Sequence, residues 1–294
     1  MGSLRKLGQK SSSESFQQTV VQRIGLGCKL GDMKLGHAIA ISLTALLTSL
    51  PSGSQVQKEP QWQSLFDGKT LNGWIPKIRG YKLGDNFANT FRVHDGVIQV
   101  NYDGYGGKFK DRFGHLFTKR MYSNYVLRLE YRFTGEQMPD GPGWAWRNSG
   151  IMVHGQAPKT LGLDQDFPVS VEFQLLGGPD TGDRPTGNVC TPGTNIVMGD
   201  KLITQHCTDS HSETYRGDQW VKAEVEVHGN GLVRHLINGE EVLRYDHVQL
   251  DPSDANAKAL IKNGNLQISS GSISLQSESH PVEFRNIQIK VLND

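Results

Sequence analysis

Apolar and polar residues alternate with a period of two in segment after segment of this chain, the rhythm of sheets buried on one face. In residues 125–133 (YVLRLEYRF), Leu127, Leu129, Tyr131 and Phe133 fall on one side, and Arg128, Glu130 and Arg132 on the other. Residues 169–175 set Val169, Val171, Phe173 and Leu175 against Ser170, Glu172 and Gln174. Residues 220–228 set Val221, Ala223, Val225 and Val227 against Lys222, Glu224, Glu226 and His228. Residues 272–276 and 282–291 continue the pattern. The pairs Asn72-Gly73, Asp95-Gly96, Asn238-Gly239 and Asn263-Gly264 punctuate it with turn signals. One short helix is expected around residues 254–260, and no strand–helix–strand rhythm appears. The expected fold is therefore all-β, two packed antiparallel sheets in a jelly-roll sandwich. The 34 glycines suit such a turn-rich protein.

The N-terminal part reads differently. Residues 1–32 are polar, show no periodic apolar face and are expected to be a disordered or over-long extension. Met33-Lys34 then opens a positive start, residues 38–50 (AIAISLTALLTSL) form an uncharged stretch of 13 residues, and Pro51, Ser52, Gly53 and Ser54 follow. That order is the order of a secretory signal over 33–54, cleaved near Ser54 or Gln55. The stretch is short of the about 20 residues that span a bilayer, so no stable membrane insertion of the mature chain is expected. Residues 55–61 read as a linker and 62–294 as one β-sandwich domain, exported to the periplasm or the extracellular space. With 31 Lys+Arg against 30 Asp+Glu, the chain lacks the basic excess that nucleic-acid binding requires.

Export changes the cysteine arithmetic. Cys28 precedes the apolar stretch, which leaves Cys190 and Cys207 in the mature chain. An even pair in an oxidising compartment reads as one disulfide, contributing about 3 kcal/mol by chain entropy; a cytosolic chain would hold two free thiols. Cys190, Cys207, His206 and His211 match no strong zinc spacing. The sequence holds no phosphate-binding loop, dinucleotide fingerprint, HExxH or GxSxG motif.

The outward faces carry unusual side chains. In residues 148–154 (NSGIMVH), alternation sends Ile151 and Val153 to the core and puts Asn148, Met152 and His154 on the opposite face. Glu172 and Gln174 hold the equivalent face of their strand, and Gln276, Glu278 and His280 alternate with Leu275 near the C-terminus. An imidazole, carboxylates and amides mounted on strands suit the hydroxyls of a carbohydrate; the alternative is an ordinary solvated face. The loop Gly141–Arg147 brings Trp144, Trp146 and Arg147 up to this strand, as a rigid aromatic lip for sugar rings or as a cover on the core edge.

These segments resemble the 3-keto-disaccharide hydrolase domain family. LFDGKTLNGW at 65–74 is similar to the family's opening signature and NSGIMVHG at 148–155 to its central strand. VEFQLL at 171–176, LINGEEV at 236–242 and ISLQSESHPVEFRNIQI at 273–289 resemble its later segments. The resemblance covers residues 62–292 and implies a concanavalin A-like sandwich. It further implies an exported enzyme that cleaves 3-keto-glycosides made by a partner sugar 3-oxidoreductase. A ketone at C3 acidifies the C2 proton; a base removes it, and the enolate expels the glycosidic oxygen at C1. Such chemistry asks for a base, an oxyanion donor and an acid.

Taken together, the face alternation and the resemblance assign Glu172 and His154 as the acid/base pair, protruding into one shared hollow. Asn148, Gln174, Gln276 and Arg147 would hold hydroxyls or the oxyanion, with Trp144 and Trp146 as the sugar lip. Glu278 and His280 are second choices for acid/base work or ligand contact. No cofactor is required, and a divalent metal is left open. The segment 177–215, which carries both cysteines, departs from shorter family members and would reshape the substrate lip. A retaining glucanase wants two carboxylates about 5–5.5 Å apart, and the strand 172–177 holds no second acid. A non-catalytic carbohydrate-binding module would use the same tryptophans and amides.

Overall fold

Seventeen strands form the frame of residues 59–293, which are the residues described by the computed structural model. The expected signal segment over 33–54 and the expected N-terminal extension lie outside the described residues. Ten strands form one sheet. Its path runs β11 (Lys201–Ile203), β10 (Thr194–Met198), β15 (Glu240–Leu250), β14 (Val233–Ile237), β13 (Val221–His228), β6 (Asn124–Phe133), β17 (Val282–Val291), β4 (Val97–Val100) and β3 (Phe91–His94). The short β1 (Trp62–Ser64) pairs with the end of β17 that β4 leaves free. The other seven run β12 (Cys207–Thr208), β9 (Asn188–Cys190), β8 (Val171–Leu176), β7 (Asn148–Gly155), β16 (Gly271–Ser277), β5 (Gly114–Tyr122) and β2 (Trp74–Ile78). Every strand pair is antiparallel, so the expected all-β sandwich is the fold found.

Local chemistry explains the connections. Asp95 and Gly96 between β3 and β4, and Asn238 and Gly239 between β14 and β15, all have positive φ. That is the conformation a two-residue hairpin needs to match the strand twist, and Asn, Asp and Gly reach it at least cost. The single α-helix among the described residues is the expected short one, Ala255–Lys258, with the Asp254 carboxylate accepting from the Ala257 N–H. The segment 177–215 is no mere lip. It supplies β9 and β12 to one sheet and β10 and β11 to the other.

The core lies between the sheets and follows the alternation. Leu127, Leu129, Tyr131 and Phe133 from β6 meet Ile151 and Val153 from β7 and Val171, Phe173 and Leu175 from β8, all buried. The two outer faces differ. That of the ten-stranded sheet is wet and laced with ion pairs such as Arg132–Glu283 and Arg285–Glu130, both 2.7 Å. That of the seven-stranded sheet is covered: His115, Phe117, Met152, Ser274 and Gln276 are all buried on it.

Alternation breaks once where it matters. β7 and β16 pair Ser274 with Met152 but Ser272 with Gly155, so Val153 and His154 together oppose Ile273. The extra residue is a bulge, and His154 sits at φ 52 within it. The bulge rotates His154 off the face that period-two counting gives it.

Candidate active site

Two strands and one turn build the site. β8 carries Glu172 and Gln174; β7 carries Asn148; the turn after β16 carries Glu278. With Trp144, Phe167, Cys190, Pro192, His206 and Cys207 they line a cavity of about 390 Å³ beside the seven-stranded sheet. Trp144 stands at its mouth, 54% exposed, its ring stacked on Phe113 at 5.7 Å. Cys190 and Cys207 face each other across β9 and β12 and form the expected disulfide, which fastens one wall. His206, Pro192 and both cysteines come from the segment 177–215, so that segment does shape the rim.

The floor is organised by cross-strand register. Lys77, His115 and Gln276 lie side by side on β2, β5 and β16. On the other side of β7, Gly150 opposes Gln174, which opposes Asn188. Gly150 has no side chain to contribute, and the Glu172 carboxyl occupies that space. A Cβ at position 150 would stand 2.6 Å from Glu172 Oε1. Asn188 donates to Gln174 Oε1 at 3.0 Å, which leaves the Gln174 amide hydrogens as the end available to a ligand.

Glu278 is held by its neighbours in sequence. The Tyr102 hydroxyl pairs with Ser277 Oγ at 2.9 Å and accepts from the Ser279 N–H at 2.8 Å. Ser279 has φ 84, an uncommon conformation for a residue with a side chain, and these bonds fix it. Arg184, from the segment 177–215, donates to the carbonyls of Trp146 at 2.7 Å and Gly177 at 3.0 Å. It ties down the aromatic loop and places a positive charge that acts on Glu278.

Burial sets the electrostatics. Desolvation pushes the Glu172 carboxyl up to about 8. Glu278 is pushed well above the usual carboxylate range by burial and then by the charge of Glu172, against the pull of Arg184. Two interacting buried carboxyls lose their protons in separate steps, so over an interval of pH one is charged while the other is neutral. Asn148 Oδ1, Glu172 Oε1 and Glu278 Oε2 are buried and unpartnered. Buried polar atoms are nearly always paired in folded proteins, so such a group around one cavity makes it a candidate place for a polar ligand. A hollow of about 480 Å³ on the ten-stranded sheet lacks this character. There Glu130 is already bonded to Arg285 and Asn286, and Arg128 to Gln288.

The structure brings Glu172, Glu278, Asn148, Gln174 and Trp144 together and leaves other expected residues elsewhere. The shared hollow of His154 and Glu172 does not exist. His154 is buried, and its Nε2 lies 2.7 Å from the Gly229 carbonyl in the β13–β14 turn of the other sheet. Arg147 is not free to hold an oxyanion, because it donates to Gly217 O at 2.6 Å and to Asp218 at 3.1 Å. Trp146 and His280 pack edge to face behind the aromatic loop, and burial with the charge of Arg147 pulls His280 down to about 4. Gln276 is fully buried and does not line the cavity. The second acid missing from β8 is supplied by Glu278, from another strand's end. Sequence reasoning passed over Phe167, Pro192, Tyr102 and Arg184, none of which sits in an alternating run. Among the described residues, no group of three or more His, Cys, Asp or Glu side chains is placed to hold a metal ion. No helix among them is long and apolar enough to cross a membrane.

A two-sheet antiparallel sandwich with a carboxyl-bearing, aromatic-rimmed cavity on one sheet is the class that this fold and site define. More particularly, the chain belongs to the 3-keto-alpha-glucoside-1,2-lyase-like domain family, whose model matches residues 61–290. A 3-keto-disaccharide hydrolase of Bacteroides thetaiotaomicron is 27% identical over 249 residues, 78% of this chain and 78% of that protein. Among solved structures, a protein from Parabacteroides distasonis that carries a glycosyl hydrolase assignment is similar at 20% identity and a TM-score of 0.48. The match covers 79% of this chain and 94% of that one. A carbohydrate-binding module of Bacillus subtilis is similar at 10% identity and a TM-score of 0.41, over 74% and 95% of the two chains.

Proposed function

We propose that this chain is an exported enzyme that cleaves 3-keto-glycosides by removing the C2 proton and eliminating the group at C1. The observation that carries the reading is the pair of buried carboxyls, Glu172 and Glu278, both with raised affinity for protons and both lining one cavity. Elimination needs a base and an acid at once, and such a pair supplies both once one of the two has ionised. Glu172, as the carboxylate, takes the C2 proton. The C2–H electrons form the enolate, whose oxygen is held by amide hydrogens, for which Gln174 is placed. The C1–O bond then breaks, and Glu278 protonates the departing oxygen. The product is a dehydrated keto-sugar, and addition of water converts it to the free 3-keto-sugar. Trp144 offers a ring face to the sugar at the mouth. The family membership and the relative's name support the 3-keto substrate, and the disulfide supports export. A sugar 3-oxidoreductase is the class of reaction that must supply this substrate.

The test is incubation of the purified protein with a 3-keto-glucoside and with its unoxidised parent, with and without a chelator. Mass spectrometry separates dehydrated from free keto-sugar. Cleavage of the keto compound alone is expected. Equal cleavage of the parent, or binding of both without turnover, overturns the proposal; the second outcome would make the chain a carbohydrate-binding module.

Gly150 supplies a second test. Gly150→Ala drives a methyl group into the space that the Glu172 carboxyl occupies. Displacing a catalytic group by about 1 Å costs on the order of 100-fold. A fall of that size in kcat/KM is expected, with the far-UV circular dichroism unchanged. Unaltered turnover would show that the position of Glu172 does not matter.

A further inference from the structure

Beneath the cavity lies a second set of polar groups that the proposed chemistry does not use. His115 is 1% exposed and Gln276 is fully buried, and they sit directly opposite each other on β5 and β16. Neither the oxygen nor the nitrogen of the Gln276 amide has a partner, and His115 Nε2 and Ser274 Oγ have none. All three residues lie on the covered outer face of the seven-stranded sheet, the face that also carries Glu172. Leaving a buried polar group unpaired costs its full desolvation, so keeping four unpaired atoms together is a steep local penalty unless something bonds them. Burial pulls the imidazole down to about 3, so it is neutral and offers one donor or one acceptor. Lys77, the remaining member of the row, is already bonded to the carbonyls of Ile78 at 3.0 Å and Leu163 at 2.9 Å.

One aromatic side chain touches both this floor and the cavity. The Phe167 ring lines the cavity and lies edge-on to the His115 ring at 6.0 Å. It is half-buried and tilted against Phe113 and Trp144, at 5.0 and 6.5 Å, stacked on neither.

We propose that His115 is a further substrate-contact residue: with Gln276 and Ser274 it forms a polar floor that hydrogen-bonds the oxygens of the sugar ring next to Glu172, exposed when the Phe167 ring rotates. The inference rests on the proposed function, since it assigns the floor to the ring that carries the keto group. That ring has oxygens on successive carbons, and a row of amide, imidazole and hydroxyl groups matches them better than it matches an apolar or charged ligand. The carboxyls act at C1 and C2, and the floor grips the same ring from below.

The test compares wild type, His115→Phe and Gln276→Met for turnover of a 3-keto-glucoside and for calorimetric binding of 3-keto-glucose. An aromatic or apolar near-isostere removes the unpaired group while keeping volume, so thermal stability should hold or rise. Binding should weaken about 10-fold or more in each variant, the loss expected for one hydrogen bond to a buried partner. Wild-type turnover, with both variants binding within about twofold of it, would overturn the floor and leave the proposed function standing. Wild type that neither binds nor cleaves the keto-sugar would overturn both. Should either variant fold poorly, a crystal of Glu172→Gln soaked in 3-keto-glucose decides. A sugar oxygen within hydrogen-bond distance of His115 Nε2 supports the assignment, and a sugar bound with Phe167 still over His115 overturns it.

Discussion

Glu172→Gln is expected to lower kcat/KM for a 3-keto-glycoside by about 1,000-fold, within the range that a positioned base contributes, and to make the folded protein more stable at pH 8. The second effect follows from burial. In the unfolded chain the Glu172 carboxyl titrates at its ordinary value of 4.5; in the folded chain it holds its proton to about 8. Below 4.5 both states carry the proton and the group is neutral to stability. Between 4.5 and 8 the folded state binds more protons than the unfolded state, so stability declines as pH rises across that window and levels off above it. Each tenfold difference in proton affinity between the two states is worth about 1.4 kcal/mol, so the penalty by pH 8 is on the order of a few kcal/mol. Gln carries no such penalty. The gap in Tm between variant and wild type should therefore widen from pH 5 to pH 8. The same ionisation should appear in wild-type kinetics as a rising limb of kcat/KM that approaches pH 8. A variant that keeps its turnover, or that loses stability at every pH, would remove Glu172 from the role of base.

Glu278→Gln should separate substrates by leaving group. Where the group at C1 is a sugar alkoxide, an acid must protonate it, and a loss of about 100- to 1,000-fold is expected. Where it is a nitrophenolate, departure needs no proton, and the loss should stay within about 10-fold. The steady-state rates of a 3-keto-disaccharide and a nitrophenyl 3-keto-glucoside give the comparison directly. Equal losses on both would mean that Glu278 serves ground-state binding. Burial and the charge of Glu172 raise the Glu278 carboxyl well above the usual range, so if it is the acid the variant should also lose the falling alkaline limb of the wild-type profile.

Much of the frame was legible in the order of residues alone. The β6 and β13 faces follow period-two counting residue by residue, because each strand buries one face against a continuous core and a slip of one residue would expose every apolar side chain. Turn residues at 95–96 and 238–239 are equally local, since positive φ selects them whatever else the chain does. The cysteine pair was readable from parity and compartment. Counting failed at His154, where one bulged residue between β7 and β16 turned the imidazole toward Gly229. It also failed for Arg147, Trp146 and His280, whose partners lie 38 to 71 residues distant or across a packed aromatic contact.

The sequence by itself determined the class of fold, the strand faces, the disulfide and the motifs of the family, because each depends on residue type and short spacing alone. Tertiary structure alone decided that Glu172's partner is Glu278 and not His154. A raised proton affinity and a shared cavity are properties of burial and of distance between strands far apart in the chain, and no local pattern encodes either.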